Sequence, residues 1–297
     1  YEISECLVGS EMCIRDSDRA DSTEEFQAMF SVRGKALYTK MDFLFKMIGE
    51  ILNSSKLEDT KRLYEIVASV KSRAQVNLTG AGHSTAVLRA AAYSSPMAAF
   101  QDEMAGIGYY QFIEKLEKDF EQRKEETVEE LCKLMKKILR PENFMISYTG
   151  ERESLETVQK LAGAVKAGLG TEPVEKSEEK LTCTKKNEGF KTSGQVQYVA
   201  QTGNFKKKGL EYTGALEILK VILSYDYLWQ NVRVKGGAYG CMSGFNRIGE
   251  GYLVSYRDPN LEKTMEIYEG VVDYLKNFDI DDRDMNKFII GTISNLD

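Results

Sequence analysis

The chain has 297 residues, 42% hydrophobic and 29% charged, a balance that fits a soluble globular protein of one large or two ordinary domains. Its net charge of −6 argues against nucleic acid as the main partner, and no apolar run reaches the length of a membrane span. The 5 cysteines (Cys6, Cys13, Cys132, Cys183 and Cys241) are odd in number and form no CxxC pair, which points to unpaired thiols in a reducing, cytoplasmic setting.

Residues 1–17 read differently from the rest. They lack the basic start and apolar core of a signal peptide, and CLVGSEMCIRDS resembles a translated sequencing-adapter scar. This leader is expected to be non-native and without stable structure. From Phe26 to Val32 the pattern predicts a short strand. Met41, Leu44, Phe45, Ile48, Ile51 and Leu52 then recur at three- and four-residue steps, an amphipathic helix. A second helix begins near Glu58 and Asp59 and ends at 79–82. An Ala-rich helix spans His83 to Ala92. Ser95-Pro96 opens another, and Gly106 to Gly108 breaks it before a helix over Tyr109 to Phe120.

A long charged helix follows over 124–139, with Glu125, Glu126, Glu129 and Glu130 as its solvated face. Arg140-Pro141 stops it, Phe144 to Tyr148 reads as a strand, and Leu155 to Leu169 as a helix. The layout, several helices against antiparallel strands, is α+β. The segment 171–189, rich in Lys, Glu, Thr and Ser, is the expected linker between a domain over 18–170 and a second over 190–297. Beyond it a strand is predicted over 194–202. A helix follows over 212–232, with Leu216, Leu219, Val221, Ile222, Tyr225 and Leu228 available for burial. A hairpin of 241–246 and 250–257 turns at Ile248-Gly249. Further helices cover 260–278 and 281–294, with Asn260 as a cap. No stop signal precedes Asp297, so the last domain is expected to be truncated.

The most informative stretch runs from Gln230 to Pro259. Arg233 and Tyr239 flank Gly236 and Gly237, a pair that permits positive φ and close backbone approach. Arg supplies a planar fork of donors and Tyr one directed hydroxyl, both suited to a peptide's carbonyl groups. A phosphate cradle is disfavoured, because KGGAYG lacks the Walker spacing and follows a helix. Such a turn is also a common connector. His83, the one histidine, reads first as a packing residue at a helix start; no GxSxG elbow accompanies it.

The run LWQNVRVKGGAYG with SYRDPNLEKT, and separately GHSTAVLRAAAYSSP at 82–96, resembles the pitrilysin/insulinase-type zinc metallopeptidases in their presequence-protease branch. The resemblance covers about residues 26–297 and implies split antiparallel sheets packed by helices around a chamber. This chain would be a C-terminal-half fragment: the third domain, then the first part of the fourth. It implies that Arg233 holds a substrate carbonyl and Tyr239 donates to the scissile carbonyl oxygen, with Gly236, Gly237 and Ala238 binding substrate. Zinc would be held by the missing N-terminal half, because one histidine cannot supply the inverted His-x-x-Glu-His ligands. Unfolded peptides and that half are the implied partners, with neither nucleic acid nor membrane, and the chain alone would be inactive. The alternatives are a noncatalytic homologue acting as scaffold or peptide-binding module, and an unrelated α+β binding domain.

Overall fold

The computed structural model describes residues 11–18, 26–174, 181, 183–192 and 194–295. The first two strands, β1 (Glu11–Asp18) and β2 (Phe26–Arg33), form a two-stranded sheet. The strand expected at 26–32 is thus present. Residues 11–17, expected to lack structure, are paired as a strand, while 1–10 lie outside the described residues.

The described residues fall into two compact units that do not follow chain order. One contains 28–70 and 114–179, the other 71–113 and 180–297. The sequential boundary expected at 171–189 is therefore not how contacts divide the chain, because residues 71–113 pack with the C-terminal segment.

In the first unit α1 (Met41–Ser54) packs along α7 (Leu155–Ala167). Met41, Leu44, Val158, Ala162 and Val165 are buried, the apolar stripes that three- and four-residue spacing foretold. Helix α2 (Thr60–Gly80) begins in this unit and places Tyr64 against the buried ring of Phe120, at the start of α6 (Phe120–Ile138). No strand forms at 144–148. An extended segment becomes a strand only beside a partner ladder, and Met145 and Ile146 stay exposed, so no face of it is buried.

In the second unit α3 (Gly82–Ala91), α4 (Pro96–Ala105) and α5 (Ile107–Lys118) follow one another closely. Ser95 caps α4 through its hydroxyl, which accepts from Ala98 N–H, and Pro96 occupies the first turn. Helix α5 starts two residues earlier than predicted. The buried Asp102 carboxylate accepts from the N–H groups of Ile107 (3.0 Å) and Gly108 (3.1 Å), which caps the helix directly after Gly106. Asp102 also pairs with Arg89 at 2.6 Å. Arg89 in turn holds Glu188 at 2.9 Å, so the end of the expected linker is docked on α3.

The sheet of this unit is antiparallel with order β3-β5-β4: β3 (Ala200–Asn204), β4 (Gly240–Phe245) and β5 (Glu250–Tyr256). Strand β3 starts later than predicted, although Gln197 already bridges to Asp258. The β4–β5 hairpin turns where expected, with Gly249 at φ 97°. Helix α3 packs on β3 and β5, on the face that carries Tyr252, Val254 and Tyr256. The opposite face covers the core: Val199, Leu223, Leu228, Val232, Ala238, Cys241 and Tyr268. Helix α8 (Ala215–Ile222) widens into π-helical turns at Leu223–Tyr227 and Trp229–Val234. Tyr225, expected in the core, is 62% exposed because of that widening. The long helix predicted over 260–278 divides at Gly270 into α9 (Glu262–Glu269) and α10 (Val271–Lys276), and α11 (Asp282–Ser294) packs on α8. Among the described residues no helix is long and apolar enough to cross a membrane.

Removing one member of a buried ion pair leaves the other uncompensated, at a cost of roughly 3 to 5 kcal/mol. Asp102→Ala should therefore lower the unfolding free energy of the chain by about 3 kcal/mol. Urea denaturation followed by Trp229 emission measures it, and a loss well under 1 kcal/mol would contradict the structural role given to this carboxylate.

Candidate functional site

Arg233 and Tyr239 leave the core on opposite sides of one turn. Val232 is fully buried and anchors the wide helical turn from which Arg233 projects. The Lys235 N–H donates to Gln230 O at 3.0 Å, Gly237 N–H to Arg233 O at 2.8 Å and Ala238 N–H to Val232 O at 3.2 Å. Those bonds close the helix end, as orphan carbonyls require. Gly237 stands at φ 83°, and a Cβ on Gly236 would collide with Val232 O and stand 3.0 Å from Asn231 O. Both glycines are therefore dictated by the backbone. The Gly236 carbonyl accepts from Asn260 Nδ2 at 2.6 Å, and this bond, not a helix cap, is what the Asn260 side chain does.

The Arg233 guanidinium lies 3.9 Å from the centre of the Trp229 ring and 5.9 Å from that of Tyr239. Stacking of this kind fixes a cation without using its N–H donors. Tyr239 is 68% exposed, and only its backbone N–H is engaged, donating to Tyr256 O at 3.1 Å and Arg257 O at 3.3 Å. Among the described residues neither the Arg233 guanidinium nor the Tyr239 hydroxyl has a hydrogen-bond partner. A fork of cationic donors and a single phenolic donor are thus presented together, both available to an incoming acceptor.

Gly236, Gly237 and Ala238 are shown in a different role from the substrate contacts expected of them. The Gly237 and Ala238 N–H groups and the Gly236 carbonyl serve the turn's own closure, and Ala238 is buried. They shape the site by placing its two donors. Behind the turn, burial pushes the Cys241 thiol up to about 11, with Arg233 pulling the other way and Asp258 adding to the rise. Cys241 is accordingly a core residue and not a nucleophile.

Four aromatic neighbours escaped the reading of the motif: Trp229 beneath Arg233, Tyr256 beside Tyr239, and His83 and Tyr198 behind Tyr256. Trp229 lies four residues before Arg233, a spacing that could have flagged it. The others meet only in three dimensions. Among the described residues no three His, Cys, Asp or Glu side chains gather as a metal would need, and the one histidine faces Tyr256. The residues present therefore do not fit a zinc site. A separate cleft of about 250 Å³, lined by Val87, Thr202, Phe245, Glu250 and Tyr252 among others, involves neither Arg233 nor Tyr239.

Two family profiles match the chain: Peptidase M-16C associated over residues 9–116, and PreP C-terminal domain over residues 187–297, which contains the turn. The chain is 38% identical to Protein HypA of Clostridium perfringens over 273 residues, covering 92% of this chain and 28% of that protein. It is 32% identical to Presequence protease 1, chloroplastic/mitochondrial, of Arabidopsis thaliana, covering 90% of this chain and 25% of that one. With the mitochondrial presequence protease of Yarrowia lipolytica the identity is 25%, over 97% of this chain and 30% of the relative. The chain thus spans between a quarter and a third of the length of these relatives.

A side chain at a left-handed position costs on the order of 1 kcal/mol, which is the loss expected for Gly237→Ala. Gly236→Ala meets backbone atoms that cannot step aside, so it should cost more and shift Trp229 emission as the Arg233 stack moves. Denaturant titrations of both variants, read by tryptophan fluorescence, check this. Equal stability for Gly236→Ala and the parent would show that the turn opens freely.

Proposed function

The chain belongs to the presequence protease family, and from that premise we propose that it forms the substrate-holding part of a zinc metalloendopeptidase acting on unfolded peptides. The observation that carries this reading is the pair of unpaired donors, Arg233 and Tyr239, held side by side at the protein surface. An extended peptide offers a row of carbonyl oxygens, the acceptors such donors lack.

In this reading the Arg233 guanidinium, held flat by Trp229, grips a backbone carbonyl of the peptide and fixes its register. The Tyr239 hydroxyl donates to the oxygen of the scissile carbonyl. That hydrogen bond strengthens as negative charge develops there, so it favours the transition state over the bound peptide. Because both donors are positioned before the peptide arrives, little reorganisation is needed at the moment of reaction. Zinc, which would polarise the same carbonyl, has no ligands in this chain. It belongs, in the proposal, to another part of the whole protein, and the three-stranded sheet with its helices is one piece of the larger split-sheet chamber. The 297-residue chain alone should bind peptide without cleaving it.

The test is kinetic and uses the full-length protein that carries this segment, with a quenched fluorogenic peptide. Tyr239→Phe should lower kcat about 100- to 1,000-fold with little change in KM, the loss typical of one oxyanion donor. Arg233→Ala should both raise KM and lower kcat. Near-parental turnover in both variants overturns the proposal. Peptide binding by the full-length protein with no hydrolysis at all would favour a noncatalytic, peptide-holding homologue.

A further inference from the structure

We propose that Tyr256, braced by His83 at the start of α3, is a positioning residue that fixes the ring of Tyr239 for the reaction above; the inference rests on that reading of Tyr239. An exposed phenol on a turn closed by glycines has no hydrogen bond of its own to choose its rotamer. Something else must hold the ring, because a donor misplaced by an ångström loses most of its effect on a barrier.

Tyr256 is the neighbour that can do so. Its ring lies 5.9 Å from that of Tyr239 at an interplanar angle of 67°, the edge-to-face arrangement that aromatic quadrupoles prefer. The Tyr239 N–H donates to the Tyr256 carbonyl at 3.1 Å, so backbone and ring are held by the same residue. Tyr256 is in turn the most constrained aromatic of the group. It ends β5 opposite Gly240 in the ladder, and the His83 ring meets it edge-on at 5.0 Å and 84°. Tyr198 packs on it at 5.7 Å, and the Tyr198 hydroxyl is tied to Thr79 O at 3.2 Å.

The His83 Nδ1 is buried and has no hydrogen-bond partner among the described residues. No polar bond at that nitrogen orients the imidazole, so its contact with Tyr256 is one of shape and ring electrostatics. A row of rings therefore runs from the surface at Tyr239, through Tyr256, to the corner between α2 and α3. That corner lies within residues 71–113, far in sequence from the turn it supports.

The experiment is a set of variants in the full-length protein, read as kcat and KM on the fluorogenic peptide. Tyr256→Leu should lower kcat about 10- to 100-fold with KM nearly unchanged. His83→Ala should lower it about 3- to 10-fold, and His83→Phe, which keeps a ring edge, should restore most of it. In a Tyr239→Phe background, Tyr256→Leu should lower kcat no further, because a residue acting through one hydroxyl has nothing left to position. If Tyr256→Leu lowers kcat by the same factor with and without that hydroxyl, it acts on general structure and the proposal falls. If Tyr239→Phe is impaired while Tyr256→Leu and His83→Ala match the parent, the positioning role falls and the role of Tyr239 stands. A silent Tyr239→Phe removes both. Should Tyr256→Leu fail to fold, the His83→Ala and His83→Phe pair decides on the same criteria.

Discussion

A single buried carboxylate holds the working end of the C-terminal unit together. Asp258 is fully buried. Its backbone exchanges two hydrogen bonds with Gln197, each 2.9 Å, joining the approach to β3 to the end of β5. Its side chain accepts from Asn260 N–H and from the Thr264 hydroxyl, both at 2.8 Å, which sets the start of α9. Asn260, so placed, reaches back to the Gly236 carbonyl. A carboxylate out of water is tolerated only when its lone pairs are filled. Here the groups that fill them come from α9 and the bend before it, and Asn260 carries the constraint on to the glycine turn. Moving any one element would unmake the contacts of the others. Arg257 sits just before Asp258 at φ 49°, a conformation unfavourable for a residue that carries a Cβ, and this network enforces it.

The second constraint is the widened helix. Leu223, Leu228 and Val232 are buried at 1%, 0% and 0% exposure, spaced by five residues and then four. At 3.6 residues per turn a step of five swings a side chain roughly 140° around the axis, off the core face. With i→i+5 bonding, roughly 4.4 residues complete a turn, and steps of five and four return close to the same side. The π-helical turns are thus the conformation in which this apolar spacing can be buried. They also leave Trp229 directly beneath the Arg233 guanidinium, so core packing and placement of the donor have one cause.

These two features mark the boundary of what the sequence disclosed. The hairpin was legible because alternation and a turn glycine are local signals, and the amphipathic helices because their period is. The glycine pair between Arg233 and Tyr239 announced a turn, and the turn has the close approach and positive φ that glycine permits. The helix over 212–232 was assigned with a single period, so Tyr225 was placed inside and Val232 overlooked. Phe144 to Tyr148 had strand composition but no partner, and pairing is a property of two segments. His83 and Tyr198 could not be linked to Tyr256 at all, because they come from elements far from it along the chain and meet it only through packing. Nor does periodicity reveal that Glu188, in an apparently solvated segment, is held by Arg89 and Tyr93.

What remains is why two donors would be left unpaired on so constrained a frame. Most polar groups near the turn are satisfied internally, down to the carbonyl of Gly236 and the N–H groups of Gly237 and Ala238. Arg233 and Tyr239 are held instead by their flat surfaces: the guanidinium by Trp229, the phenol by Tyr256. Ring contacts orient a group while leaving its hydrogen-bonding edge unused, whereas a hydrogen bond orients it by consuming that edge. A surface evolved only for solubility has no need of the distinction, since a solvated Arg and Tyr gain nothing from being stacked in fixed relation to each other. A surface that must present two directed donors to a row of carbonyl oxygens does need it. The same geometry serves holding and cutting equally up to the point where charge develops on the acceptor, and there the single directed hydroxyl of Tyr239 separates the two roles.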